Sequence, residues 1–166
     1  MDNGIEAIDA ESVLAGEKSG HKSELRLWLR LLSATTLISA EIRRNLRRSF
    51  KVTLPQFDLL AQLEREPNGL RLGELSQRMM VTNGNVTGLV DKLVEQGFVV
   101  REPSPDDRRA MNVRMTKAGA SMFGVMAKAN EEWMIALFSE VPVETRKALM
   151  RELDIVKRSV RRNSRP

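Results

Sequence analysis

Between about Ser23 and Ser49 the apolar residues fall on two neighbouring stripes of one helix. Leu27, Leu31, Ala34, Ile38, Ile42 and Leu46 recur at the helical period, and Leu25, Trp28, Leu29, Leu32 and Thr36 run beside them. A helix with two apolar stripes needs cover on more than one side. Further on, Thr53-Leu54-Pro55-Gln56 has the form of a capping box, with proline in the first turn, where its missing N–H costs nothing. Phe57, Leu60 and Leu63 continue as a short amphipathic helix, which Pro67-Asn68-Gly69 ends.

A third helix is expected from about Gly73 to Met79, with Leu75 and Met79 facing inward. After a break at Met80–Thr82 a fourth is expected from about Asn83 to Gln96. Asn83-Gly84 between β-formers is also a hairpin signal. Downstream, however, Leu89, Val90 and Leu93 keep helical spacing, and Gly97 stands where a left-handed cap would follow. Helix is therefore the expectation.

Phe98 to Glu102 reads as a strand. Ala110 to Met115 reads as another, with Met111, Val113 and Met115 alternating against Asn112 and Arg114. The segment between them, Pro103 to Arg109, is a charged, turn-rich tip. Thr116 then caps a long helix whose apolar positions are Ala118, Met122, Val125, Met126, Ala129, Trp133 and Leu137. Pro142 opens the last helix, along which Leu149, Leu153, Val156 and Val160 recur. The order helix, helix, turn, helix, hairpin predicts a mainly α protein with a small β-hairpin: a winged helix-turn-helix flanked by an N-terminal and a C-terminal helix.

Composition narrows the chemistry. Cysteine is absent and His21 is the only histidine, so thiolate zinc sites, thiol redox chemistry and His-based triads are excluded, and no cofactor is expected. With no Gly-rich phosphate loop and only scattered carboxylates, an enzyme is not expected. No apolar run is long enough for a membrane span, and the first twenty residues lack the pattern of a signal peptide, so a cytoplasmic protein is expected. Those residues read as a disordered leader. They carry Asp2, Glu6, Asp9, Glu11 and Glu17 against Lys18 alone, a balance of −4, so the chain beyond them carries +9 against an overall +5. A basic body points to a polyanionic partner, double-stranded DNA.

Within the fourth helix, Val86, Leu89, Val90 and Leu93 form the side expected to anchor to the core. Gly84, Gly88, Asp91 and Glu95 lie opposite, with Asn85 and Lys92 on one flank and Thr87 on the other. Two glycines on an outward helical face each cost about 1 kcal/mol relative to alanine. Close approach of the helix backbone to a DNA groove would offset that cost. Asn85 and Thr87 suit base edges, and Thr82 suits a cap and a phosphate. In the hairpin tip, Arg108 and Arg109 suit the negative minor groove, with Asp107 able to orient a guanidinium. An architectural DNA-binder with no sequence preference is the alternative, marked by steep salt dependence without discrimination.

The segments Leu75-Ser76, Val86-Thr87, Leu89-Val90-Asp91-Lys92-Leu93, Gly97-Phe98-Val99, Asp107-Arg108-Arg109 and Met115-Thr116-Lys117-Ala118-Gly119 resemble the MarR family of transcription regulators. The likeness runs from about Leu25 to Val160. It implies a single MarR-type domain over residues 21–162, with a winged helix-turn-helix at about 53–116 and dimerisation helices at about 23–49 and 117–162. Residues 163–166 form a tail. It also implies a homodimeric repressor or activator with a ligand cleft between the dimer and DNA-binding lobes. A repressor of a catabolic or efflux operon, relieved by a small-molecule effector, is expected, and twofold symmetry predicts a pseudo-palindromic operator. Asp107 and Arg109 match the wing acid and the minor-groove arginine, and Thr82, Asn85 and Thr87 match groove-facing positions. The chain departs from the family at Gly88, commonly arginine there, which leaves base reading to Asn83, Asn85 and Thr87.

More faintly, Leu25–Leu32 and the fourth helix are similar to regulators of hydroxycinnamate and other aromatic-acid catabolism that respond to coenzyme A thioesters. In that light Trp28, Leu32, Phe57, Met122 and Met126 are candidates to line a pocket for an aromatic acyl group. The row Arg43, Arg44, Arg47, Arg48 and Lys51 could hold phosphates, Arg44 and Arg48 being the named ligand candidates.

Overall fold

The computed structural model describes residues 23–103 and 111–164. The expected leader and the hairpin tip from Ser104 to Ala110 lie outside the described residues. The helices are α1 (Ser23–Phe50), α2 (Leu54–Glu64), α3 (Leu72–Met79), α4 (Asn83–Glu95), α5 (Lys117–Leu137) and α6 (Val143–Asn163). The strands are β1 (Leu70–Arg71), β2 (Val99–Pro103) and β3 (Met111–Met115). The described residues divide into two compact units, the first ending at Lys128 and the second beginning at Ala129.

In the first unit the local signals behave as their chemistry requires. The Thr53 hydroxyl accepts from the Gln56 N–H at 3.4 Å, and the Gln56 side chain accepts from the Thr53 N–H at 2.9 Å, closing the capping box at the start of α2. At the end of α4, Phe98 N–H donates to the Leu93 carbonyl and Gly97 N–H to that of Val94, each at 2.9 Å. This is a Schellman cap, and Gly97 sits at φ 74°, where a side chain would be strained. The Thr116 hydroxyl accepts from the Gly119 N–H at 2.9 Å and donates to the Gly97 carbonyl at 2.7 Å, so it starts α5 and ties that start to the end of α4.

The hairpin is part of a three-stranded antiparallel sheet in the order β1-β3-β2. The added strand, Leu70–Arg71, pairs Leu70 with Val113 and Arg71 with Asn112. A two-residue strand has too little alternation to show in the sequence; its partner creates it. The second strand begins at Val99 rather than Phe98 and runs to Pro103, which pairs with Met111.

The core comprises Leu46 and Val52, then Phe57, Leu59, Leu60 and Leu63 of α2, Leu75 of α3, and Val86, Val90 and Leu93 of α4. Val99 and Val113 close it from the sheet, with Leu70 and Met126. Leu89 and Met79 were expected to face inward and are only half-buried. Along α5 the buried positions are Gly119 and Met126, whereas Ala118 and Val125 are exposed. A Cβ at Gly119 would run into the Phe98 carbonyl, so this glycine lets α5 start against the residue that precedes β2.

The double stripe of α1 is largely open. Only Asn45 and Leu46 are buried on that helix, while Leu25, Leu27, Trp28, Leu32 and Leu37 are exposed. In the second unit, α6 buries no residue, and Leu149, Met150, Leu153, Ile155 and Val160 stand exposed along it. Among the described residues no helix is long and apolar enough to cross a membrane.

Candidate nucleic-acid interface

The fourth helix carries the predicted contact residues, and its orientation follows from three buried side chains. Val86, Val90 and Leu93 are each 0% exposed, at helical spacing, so the remaining circumference of α4 faces outward. Thr82 caps the helix, its hydroxyl accepting from the Asn85 N–H at 3.4 Å. Asn83 and Gly84 are therefore the first two helical residues, and the hairpin alternative for Asn-Gly does not occur. Turn formation would have left the capped N–H without its partner and drawn Val86 out of the core.

Asn83, Gly84, Asn85, Thr87, Gly88 and Lys92 are all exposed on α4, as is the capping Thr82. A Cβ built at Gly84 or Gly88 would meet nothing within 4 Å, so neither glycine is demanded by packing inside the chain. The Thr87 hydroxyl donates to the Asn83 carbonyl at 3.0 Å. In that rotamer its proton is used by the helix, and it presents a methyl group and acceptor lone pairs. Asn85 keeps both amide functions open to solvent.

Asp91 does not join the outward reading face in the way the helical wheel suggested. Its carboxylate pairs with Arg101 of β2 at 2.7 Å, bracing the first strand of the hairpin against α4. Across the hairpin, Arg114 makes a two-pronged contact with Glu102, Nε to Oε2 at 3.0 Å and Nη2 to Oε1 at 2.6 Å. The guanidinium holds the Glu102 carboxyl below the usual carboxylate range. The Asn112 amide donates to the Asn68 carbonyl at 3.3 Å, tying β3 to the turn before β1. Arg101, Glu102 and Arg114 were not singled out from the sequence; charges alternating along two short strands were the available signal. Asp107, Arg108 and Arg109 lie outside the described residues, in the segment joining Pro103 to Met111.

The residues considered for an effector are placed as follows. Trp28 is 56% and Leu32 46% exposed on α1, whereas Phe57 is 9% and Met126 0% exposed, so these four do not share one open surface. Met122 is half-buried. Phe57 stacks in a tilted contact on Phe123, with ring centroids 5.4 Å apart, a partner the sequence did not point to because Phe123 lies off the stripe assigned to its helix. Arg43, Arg44, Arg47 and Arg48 line a shallow concavity along α1 with Ala40. Arg44 pairs with Glu41, and Arg48 donates to the Asn45 side chain at 3.5 Å. Among the described residues no group of acids or histidines is arranged to hold a metal ion.

A capped helix-turn-helix whose second helix is anchored on one side and open on the other, braced by a hairpin, defines a winged helix-turn-helix DNA-binding protein. The sequence profile of the MarR family matches residues 52–111. An uncharacterised transcriptional regulator of the helix-turn-helix type from Mycobacterium bovis, Mb0904, is 32% identical over 108 residues, covering 63% of this chain and 75% of that protein. The crystal structure of a MarR family transcriptional regulator from Silicibacter pomeroyi superposes with a TM-score of 0.75 at 30% identity, covering 87% of this chain and 99% of the other. Sco3205, a MarR family regulator from Streptomyces coelicolor crystallised in complex with DNA, superposes with a TM-score of 0.71 at 25% identity, covering 87% and 91%. The chain belongs to the MarR family, and its role is that of a DNA-binding transcription regulator rather than an enzyme.

Proposed function

We propose that the protein is a homodimeric repressor that reads a pseudo-palindromic operator and is released from it by an aromatic acid or its coenzyme A thioester. The observation that carries the DNA part is the state of α4: locked to the core by Val86, Val90 and Leu93, and uncovered at Asn83, Asn85, Thr87 and Gly88. Side chains on such a helix reach base edges in the major groove. The Asp91–Arg101 pair braces β2 against α4, and in this reading Arg108 and Arg109 are the minor-groove cations and Asp107 the acid that orients them. The DNA complex of the Streptomyces coelicolor relative supports the same reading.

Dimerisation is supported by the apolar faces of α1 and α6, each left exposed in the single chain. Together α1 and the segment from α5 through α6 are the dimerisation helices of this reading. The operator then carries two half-sites about one helical turn, ~10 bp, apart. For the effector, Trp28 and Leu32 offer open apolar surface and Met122 an adaptable, half-buried one, while Arg44 and Arg48 offer cations to the phosphates of a thioester.

Gel shifts with the DNA upstream of the protein's own gene test this, run with and without benzoate, a hydroxycinnamate and their coenzyme A thioesters. The expected result is a specific complex that one of these compounds dissolves. Equal affinity for unrelated DNA would replace the operator reading with an architectural one. A specific complex indifferent to all four compounds would remove the aromatic effector.

A further inference from the structure

Along the outward side of α4 runs a cleft of about 380 Å³ that reaches from the helix-turn-helix turn to the first turn of α2. Its lining is unusual for a surface meant to meet a polyanion. Pro55, Val81 and Leu89 supply apolar surface, and Gly84 and Gly88 add no side chain at all. Asn85 and Lys92 are its only polar lining residues. Val81 is 37% exposed and Leu89 half-buried, so both present carbon to whatever enters. Nothing inside the chain approaches the space above Gly88.

Resting on the reading that α4 enters the major groove, we propose that this cleft is a thymine-reading site that takes the C5-methyl group of one thymine in each half-site. In the major groove the thymine methyl is the one bulky apolar mark on a base edge; cytosine carries only a hydrogen at the same C5 position, and adenine and guanine present the N7 acceptor with an amino group or a carbonyl beside it. Against the apolar wall of Pro55, Val81 and Leu89, an amino group or a carbonyl would lose its water and gain no partner. A methyl group loses nothing polar there. Asn85, on the same cleft, is placed to pair with the hydrogen-bonding edge of the same or the adjoining base pair. Arginine at position 88 would fill the cleft with a guanidinium suited to guanine. Glycine there leaves room for the methyl, so the chain exchanges a polar reader for an apolar one.

The test uses the full-length protein and a DNA site recovered from a random duplex library by repeated selection on that protein. Each thymine of the site is replaced in turn by deoxyuridine, which removes the methyl and keeps every hydrogen bond. At one thymine in each half-site the replacement is expected to weaken binding about fourfold, the factor corresponding to one buried methyl-sized group. Cytosine at that position should weaken it further, and 5-methylcytosine should recover part of the loss. Val81→Ala, a change on an exposed turn, should bind the thymine and deoxyuridine sites with nearly equal affinity.

A selected site that tolerates deoxyuridine at every position overturns the proposal while leaving sequence-specific DNA binding intact. Sensitivity to deoxyuridine that Val81→Ala and Leu89→Ala both retain in full overturns it as well, since the methyl is then read elsewhere. Failure of the selection to enrich any sequence overturns the underlying reading of α4 itself.

Discussion

Gly88 has no packing task inside the fold, so its proposed role at the DNA can be tested apart from stability. Its missing Cβ is not required by any neighbour, so Gly88→Ala gains helix propensity without a clash. The expected gain is up to about 1 kcal/mol in stability, visible as a rise in Tm. The same methyl projects into the cleft beside Leu89, and operator affinity is expected to fall. Thermal denaturation and a titration on the selected site check the two signs together. Operator binding by Gly88→Ala at or above the parental level would mean that the glycine is merely tolerated. Asp91 illustrates the reverse case, a side chain that looked free on a helical wheel and is committed to Arg101. The pair is partly exposed, so its value lies in holding the wing's direction more than in stability.

At the scale of elements, the start of α5 is fixed by two junctions added to the shared core. Thr116 connects the start of α5 to the end of α4 through the Gly97 carbonyl, and Gly119 allows α5 to lie against the Phe98 carbonyl. Gly119→Ala is expected to be severe, because the obstacle is backbone and cannot swing aside. A loss of roughly 1–3 kcal/mol is expected from forced overpacking. Denaturant unfolding of the variant checks this, and a midpoint equal to the parent's would show that the helix can slide away. Gly124, with nothing within 4 Å of a built Cβ, is the control: its change to alanine should raise stability slightly. Two glycines on one helix thus carry opposite expectations, decided by their surroundings.

For the whole molecule the main unspent quantity is apolar surface. Leu27, Trp28 and Leu37 are 50%, 56% and 59% exposed on α1, and Leu149, Met150 and Val160 are 51%, 60% and 56% exposed on α6. A second copy of the chain, related by a twofold axis, would cover such faces with a self-complementary contact. Light scattering at micromolar concentration is expected to give twice the chain mass of 18.8 kDa, and Leu153→Glu to shift that mass toward the monomer. A monomeric parent would remove the dimer and, with it, the palindromic operator.

What the sequence determined by itself was local in origin. The capping box at Thr53, the caps at Thr82 and Thr116, the left-handed Gly97 and the helical spacing of Val86, Val90 and Leu93 each depend on residues a few positions apart, so each could be read directly. The exposure of Asn83, Asn85, Thr87 and Gly88 followed from that spacing, and their proposed role from their chemistry and the family resemblance. Tertiary structure decided what depends on residues far apart in the chain. Strand β1 exists because Leu70 and Arg71 meet Val113 and Asn112. Asp91 is committed because Arg101 comes beside it, and Phe57 meets the ring of Phe123 from a distant part of the chain. The cleft on α4 needs Pro55 and Val81 brought against Gly84, Gly88 and Leu89. Helical periodicity states which face is apolar; only the assembled neighbours decide whether that face is buried, left open for another chain, or turned toward DNA.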